Sequence, residues 1–142
     1  MMPNVRGVVV LVQEGGTSQN VLAVVRRENP NQKCLPGGSV EEKESLFDAA
    51  LRELREETGL ALQPNQLIFC GIFEVPMKDG QGKDNVALFK ATFQVSHSAF
   101  SLGEPDLNPH WAPIEELCDP EKNGVFSISA RYARKHMIVG ES

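Results

Sequence analysis

Residues 1–142 are expected to form one α/β domain in which a mixed sheet is covered by helices on both faces. Three observations lead there. The chain is 41% hydrophobic and 23% charged, the balance of an ordinary globular domain. A single domain of 142 residues can hide roughly 68% of its extended-chain surface, enough for a core that needs neither disulfides nor structural metal. β-Branched runs fill the start and the middle of the chain, and two segments of helical periodicity lie between and after them.

The elements follow in order. Arg6 to Gln13 (RGVVVLVQ) and Val21 to Arg27 (VLAVVRR) read as strands joined by a hairpin around Gly15 and Gly16. The stretch NPNQKCLPGG then breaks regularity as a loop. From Leu46 the pattern turns helical: Phe47, Ala50, Leu51 and Leu54 fall at i, i+3, i+4 and i+7, a stripe suited to packing on a sheet. Ser45 is the expected N-cap, and Thr58–Gly59 marks the end, so the helix spans Leu46 to Glu57. Leu67 to Val75 and Val86 to Val95 read as strands parted by a turn-rich loop. A short strand is expected near Trp111, and Ser127 to Ile138 reads as a final amphipathic helix.

Fourteen Lys and Arg against nineteen Asp and Glu leave a formal net charge of −5, so no general basic field exists to hold a nucleic-acid polymer. Cys34, Cys70 and Cys118 are odd in number and far apart, which suits free thiols in a reducing, cytoplasmic compartment. The early apolar run, Val8 to Val12, is far below the ~18 residues of a membrane span, so no membrane association is expected.

The first helix carries the chemistry. At about 100° per residue, Glu57 lies about 40° and Glu56 about −60° from Glu53, so three carboxylates share one face. Such like-charged neighbours cost an isolated helix about 0.2–0.5 kcal/mol per pair. The plain reading is a solvated face on which Arg52 neutralises Asp48 and Glu56; the sharper one is a hard divalent cation, which favours oxygen ligands.

The surrounding stretch decides between these readings. Gly38 to Leu60, GSVEEKESLFDAALRELREETGL, resembles the box of the Nudix hydrolases, G-x5-E-x7-R-E-u-x-E-E-x-G-u with u aliphatic, in every fixed position. At ordinary residue frequencies seven such positions coincide by chance roughly once in 10⁸ to 10⁹ starting points. The resemblance extends loosely to LPGG at Leu35 to Gly38 and to a late tryptophan followed by PIEEL. It implies the Nudix fold, an α/β/α sandwich, and metal-dependent hydrolysis of a phosphoanhydride in a nucleoside diphosphate linked to another group.

Carried over residue by residue, the resemblance implies that Glu53, Glu56 and Glu57 bind metal, Mg²⁺ or alternatively Mn²⁺, with Gly37 offering a carbonyl and Glu44 a more peripheral carboxylate. Glu44 equally suits a helix start, where the macrodipole favours an acid. Arg52 matches the arginine that orients a glutamate, a role lysine fills less well. The general base is Glu53 or Glu104; Asp106 competes with Glu104 in the same loop. The chain departs from common relatives at Lys33 and Cys34, where an aromatic residue is usual, and at Lys43 in place of a frequent glycine.

Arg26 and Arg27 end the second strand, where basic residues in relatives reach substrate phosphates; strand alternation turns one of them to the site. Pro76, sixteen residues after Leu60, has a spacing resembling that of ADP-ribose pyrophosphatases. The tyrosine of dinucleoside polyphosphate members and the coenzyme A signature are missing. Phe73, Phe89, Phe93 and Trp111 read as core before base-stacking groups, and His97, His110 and His136 as surface. ADP-ribose or a nucleotide sugar therefore leads as substrate, releasing a nucleoside monophosphate. A nucleoside triphosphate, including an oxidised one, is the alternative, and a non-catalytic nucleotide-binding module a third reading. Dimers are frequent among relatives and the apolar first strand could pair across a two-fold axis, so a homodimer is a further expectation.

Overall fold

The computed structural model describes residues 4–77, 80–92 and 105–138. Its strands are β1 (Val5–Leu11), β2 (Asn20–Val25), β3 (Lys33–Cys34), β4 (Gly37–Ser39), β5 (Leu67–Pro76), β6 (Lys83–Ala91) and β7 (His110–Pro113). Its helices are α1 (Leu46–Thr58), α2 (Ile114–Leu117), α3 (Pro120–Asn123) and α4 (Phe126–Arg134). β4, β1, β6 and β5 form a mixed sheet in that order, with β1 parallel to β6 and antiparallel to β4. A second, antiparallel sheet runs β3-β2-β7.

Alternation along β1 and β6 explains the layering. Val8 and Val10 of β1 join Ala87 and Phe89 of β6 in a core under α1, where Ala50 and Leu54 are buried. Leu11 and Leu88 face the other way and pack with Ile114, Leu117, Ala130 and Ala133 of α2 and α4. The mixed sheet thus lies between α1 and α4. Phe47, expected inside the α1 stripe, stays 38% exposed and meets Phe89 edge-on at 4.7 Å.

The hairpin at Gly15–Gly16 forms only at its tip. Gln13 bridges Val21 and the Leu22 N–H donates to the Val12 carbonyl at 2.9 Å, after which the strands part into different sheets. Both sides of β1 are taken, by β4 and β6, and β2 is buried over Val21–Val25, a strand enclosed on both faces. The segment expected to be a loop supplies β3 and β4, because the open edges of β2 and β1 recruit it. α4 ends at Arg134, short of the expected Ile138, where the Gln13 side chain draws the chain away. That amide donates to the Ile138 carbonyl and accepts from the Ile138 N–H, both at 2.8 Å.

α1 has the expected caps. Ser45 Oγ accepts from the Asp48 N–H at 3.0 Å, and Gly59, at φ 79°, donates its N–H to the Arg55 carbonyl. The three cysteines are free thiols, Cys34 and Cys118 buried. Among the described residues no helix is long and apolar enough to cross a membrane. Glu104, Phe93 and His97 lie outside the described residues.

Candidate active site

The site is built where β4 runs beside α1. β4 pairs with β1 in the register Val9↔Gly37 and Val8↔Gly38, with ladder bonds from the Val10 N–H to the Pro36 carbonyl and from the Val40 N–H to the Arg6 carbonyl. Antiparallel alternation then turns the backbone groups of Gly37 and Ser39 away from β1. Two of them are used by α1: the Gly37 N–H donates to Glu57 Oε1 at 2.8 Å, and the Ser39 carbonyl accepts from Arg52 Nη2 at 2.9 Å. Side chains are excluded here. A Cβ on Gly37 would collide with the Val8 carbonyl, and one on Gly38 would lie 2.5 Å from the Glu53 carboxyl.

Arg52 is the hub. Its Nε and Nη2 donate to the two oxygens of Glu44 at 2.7 and 2.9 Å, the fork geometry that guanidinium provides and ammonium does not. Nη1 donates to Glu53 Oε1 at 2.8 Å and more loosely to Glu56 Oε2 at 3.3 Å. Arg52 thus sits at the centre of an acidic network rather than on a solvated face, and its own pKa is raised, chiefly by Glu44. The same hydrogen bonds, with one from the Glu41 N–H, hold the Glu44 carboxyl down at about 2.

Glu53 and Glu57 feel the opposite pressure. Burial pushes the Glu57 carboxyl up to about 7, and the neighbouring Glu53 charge adds to the rise; the Gly37 N–H and the fields of Arg26 and Arg27 oppose it. Burial likewise raises Glu53 against the pull of Arg52. Glu56 stands at the rim, its side chain 48% exposed. Among the described residues no three acidic, histidine or cysteine side chains are gathered closely enough to hold a metal ion as they stand. The donor chemistry nonetheless fits a hard divalent cation. Two half-buried carboxylates are held together against mutual repulsion beside a glycine pair, and a third stands free enough to swing in.

Arg26 and Arg27 follow the end of β2 and diverge. Arg26 packs its guanidinium 4.3 Å from the centre of the Phe126 ring and lines the cavities that open beside Gly38. Arg27 turns to Asp106, with Nε to Oδ2 at 2.6 Å, so Asp106, the rival to Glu104, is tied to an arginine. Phe73 and Phe89 are core, as expected, while Trp111 is partly buried against the α1 core. His110 and His136, expected at the surface, are half-buried, the latter packed on Tyr132. Phe126, Val125 and Asp84 line the smaller cavity and are not singled out by the sequence alone. A phenylalanine at a helix start and an aspartate after a turn carry no spacing signal of their own.

A fold of this topology with a carboxylate helix against a glycine pair defines a class, and the family comparison agrees: the NUDIX domain model matches residues 3–132, and the chain belongs to the Nudix hydrolase family. Among individual proteins, it is 39% identical over 64 residues to an ADP-ribose pyrophosphatase from Methanocaldococcus jannaschii, covering 44% of this chain and 37% of that protein. It is 48% identical over 65 residues to the m7GpppN-mRNA hydrolase NUDT17 of Danio rerio, covering 43% of this chain and 21% of that one. The matched segments therefore span well under half of these relatives. The dihydroneopterin triphosphate pyrophosphohydrolase of E. coli superposes with a TM-score of 0.68 at 20% identity, over 91% of this chain and 97% of that one. A bifunctional NMN adenylyltransferase/ADP ribose pyrophosphatase from Francisella tularensis, complexed with AMP and a Mn ion, does so at 0.66 and 24% identity, over 95% of this chain and 42% of that chain.

Proposed function

We propose that this chain is a divalent-metal-dependent pyrophosphohydrolase. It cleaves the phosphoanhydride of a nucleoside diphosphate linked to another moiety, ADP-ribose or a nucleotide sugar, and releases a nucleoside monophosphate. The observation that carries the reading is the pair Glu53 and Glu57 set against Gly37 and Gly38, with Arg52 fixing Glu53 from behind. Glu53, Glu56 and Glu57, with the Gly37 carbonyl, would hold the cation, and Glu44 serves it indirectly by anchoring Arg52. Bound Mg²⁺, or Mn²⁺, supplies charge neutralisation for the phosphate oxygens and a more acidic water. Arg26 steadies the substrate's phosphates, Arg27 adds to the positive field, and Glu53 or Glu104 takes the proton from the attacking water.

The setting supports a substrate of two parts. A polar cavity of ≈ 1000 Å³ containing Arg6, Glu41 and Lys43 adjoins a smaller apolar one of ≈ 280 Å³, and both reach Gly38 and Arg26. A nucleoside triphosphate, which would yield a monophosphate and pyrophosphate, is the second reading, since the same helix handles either leaving group. The complete set of Arg52, Glu53, Glu56 and Glu57 argues against a module that only binds. The test is a product-resolved screen of nucleotide sugars, ADP-ribose, dinucleotides and triphosphates with Mg²⁺ and Mn²⁺. A monophosphate product from a diphosphate derivative supports the reading, and a sample inert toward every compound overturns it.

A further inference from the structure

The smaller cavity says more about the substrate than its size. Its floor is the α4-facing side of the mixed sheet, with Gly7 of β1, Val75 of β5 and Val86 of β6; its roof is Val125 and Phe126 where α4 begins. At ≈ 280 Å³ it lies at the low end of small-molecule pockets, room for one ring system rather than a whole nucleotide. Gly7 keeps the floor flat, for a Cβ there would press to 3.3 Å from the Gly38 carbonyl. Phe126, backed by the Arg26 guanidinium, offers an aromatic wall of the kind on which bases stack.

One acidic side chain enters this apolar setting. Along β6, Leu88 is buried on the α4 side, Val86 follows on the same side, and Asp84 continues that face to the rim of the cavity. β1 bulges beside it: Val5 pairs with Asn85 and Gly7 with Val86, so Arg6 is an extra residue. Arg6 Nε stands 3.8 Å from Asp84 Oδ1, an ion-pair distance beyond hydrogen-bond length. Among the described residues, both carboxylate oxygens therefore keep acceptor capacity, and Asp84 stands where this cavity meets the larger one, lining both.

A carboxylate only accepts, so the group it recognises must bring donors. Guanine presents a ring N–H and an exocyclic amino group side by side, one for each oxygen. Adenine places its amino group next to a ring nitrogen whose lone pair faces the second oxygen. We infer that this cleft is the base subsite and that Asp84 selects a guanine-type edge over an adenine one. The inference rests on the pyrophosphohydrolase reading for its placement of the phosphates. Within that reading it favours guanosine diphosphate derivatives over ADP-ribose.

The experiment is calorimetric titration of the full chain in Mg²⁺ with GMP, IMP and AMP, monophosphates that carry no phosphoanhydride to cleave. GMP should bind about tenfold more tightly than AMP, the discrimination expected of a two-point contact at a partly exposed site, with IMP, which lacks the amino group, between them. Asp84→Ala should erase the preference for GMP over AMP, and Asp84→Asn, whose amide can accept from the adenine amino group and donate to the ring nitrogen beside it, should move the preference toward AMP. Equal binding of GMP and AMP by the parent, a ratio unaltered in both variants, or no binding of any of the three overturns the inference, and the parent's ratio needs no variant to fold. A GMP preference in a chain that hydrolyses nothing would sink the enzymatic reading alone. Hydrolysis indifferent to the base would sink this one alone.

Discussion

At the scale of single residues, Glu57 and Arg52 make the sharpest claims. Glu57→Gln removes charge from the site but no apolar contact, so turnover should fall by orders of magnitude while the melting temperature stays near that of the parent; unchanged turnover would refute its role. Arg52→Lys keeps the charge and loses the fork to Glu44, so activity should drop here too, because one ammonium cannot make two parallel bonds and still reach Glu53. Glu104→Gln separates the two candidate bases, since a rate equal to the parent's would assign that role to Glu53. Cys34 offers a pH-dependent check. Burial pushes its thiol up to about 11, partly offset by Arg26, so the folded chain holds that proton until strongly alkaline pH. The thiolate is the reactive form, so at pH 8 a thiol reagent should modify the half-exposed Cys70 first, read by peptide mass.

At the scale of elements, α1 was almost wholly legible. Its N-cap, C-terminal glycine and carboxylate face are all written in local spacing, and local forces decide them. Ser45→Ala should therefore cost about 1 kcal/mol of stability in urea titration, the usual worth of such a cap. β3 and β4 were not legible, because KC and GGS have no strand propensity of their own and become strands only through the edges of β2 and β1. The same limit hid half of the site. The motif named the glutamates, but Gly37's bond to Glu57 exists only once β4 has paired with β1. Asp84 lies far along the chain from the adjacent Val125 and Phe126 and meets them only through the stacking of α4 on the sheet.

At the scale of the whole molecule, the carboxylate helix works only as firmly as it is seated. Leu54, fully buried on the sheet-facing side of α1 about 100° round the helix from Glu53, anchors that seat, and Leu54→Ala should destabilise the fold by about 2–5 kcal/mol in thermal or chemical unfolding. The parallel pairing of β1 with β6 also governs how the molecule comes into being. β1 lies inside the mixed sheet, yet the strand that covers one of its edges begins at Lys83. A ribosome must therefore present the valine-rich β1 unsheltered until β6 has been made, and closing so long a loop makes acquisition of the sheet slow. Chaperone demand and losses to inclusion bodies should concentrate in that interval, before the sixth strand has left the exit tunnel.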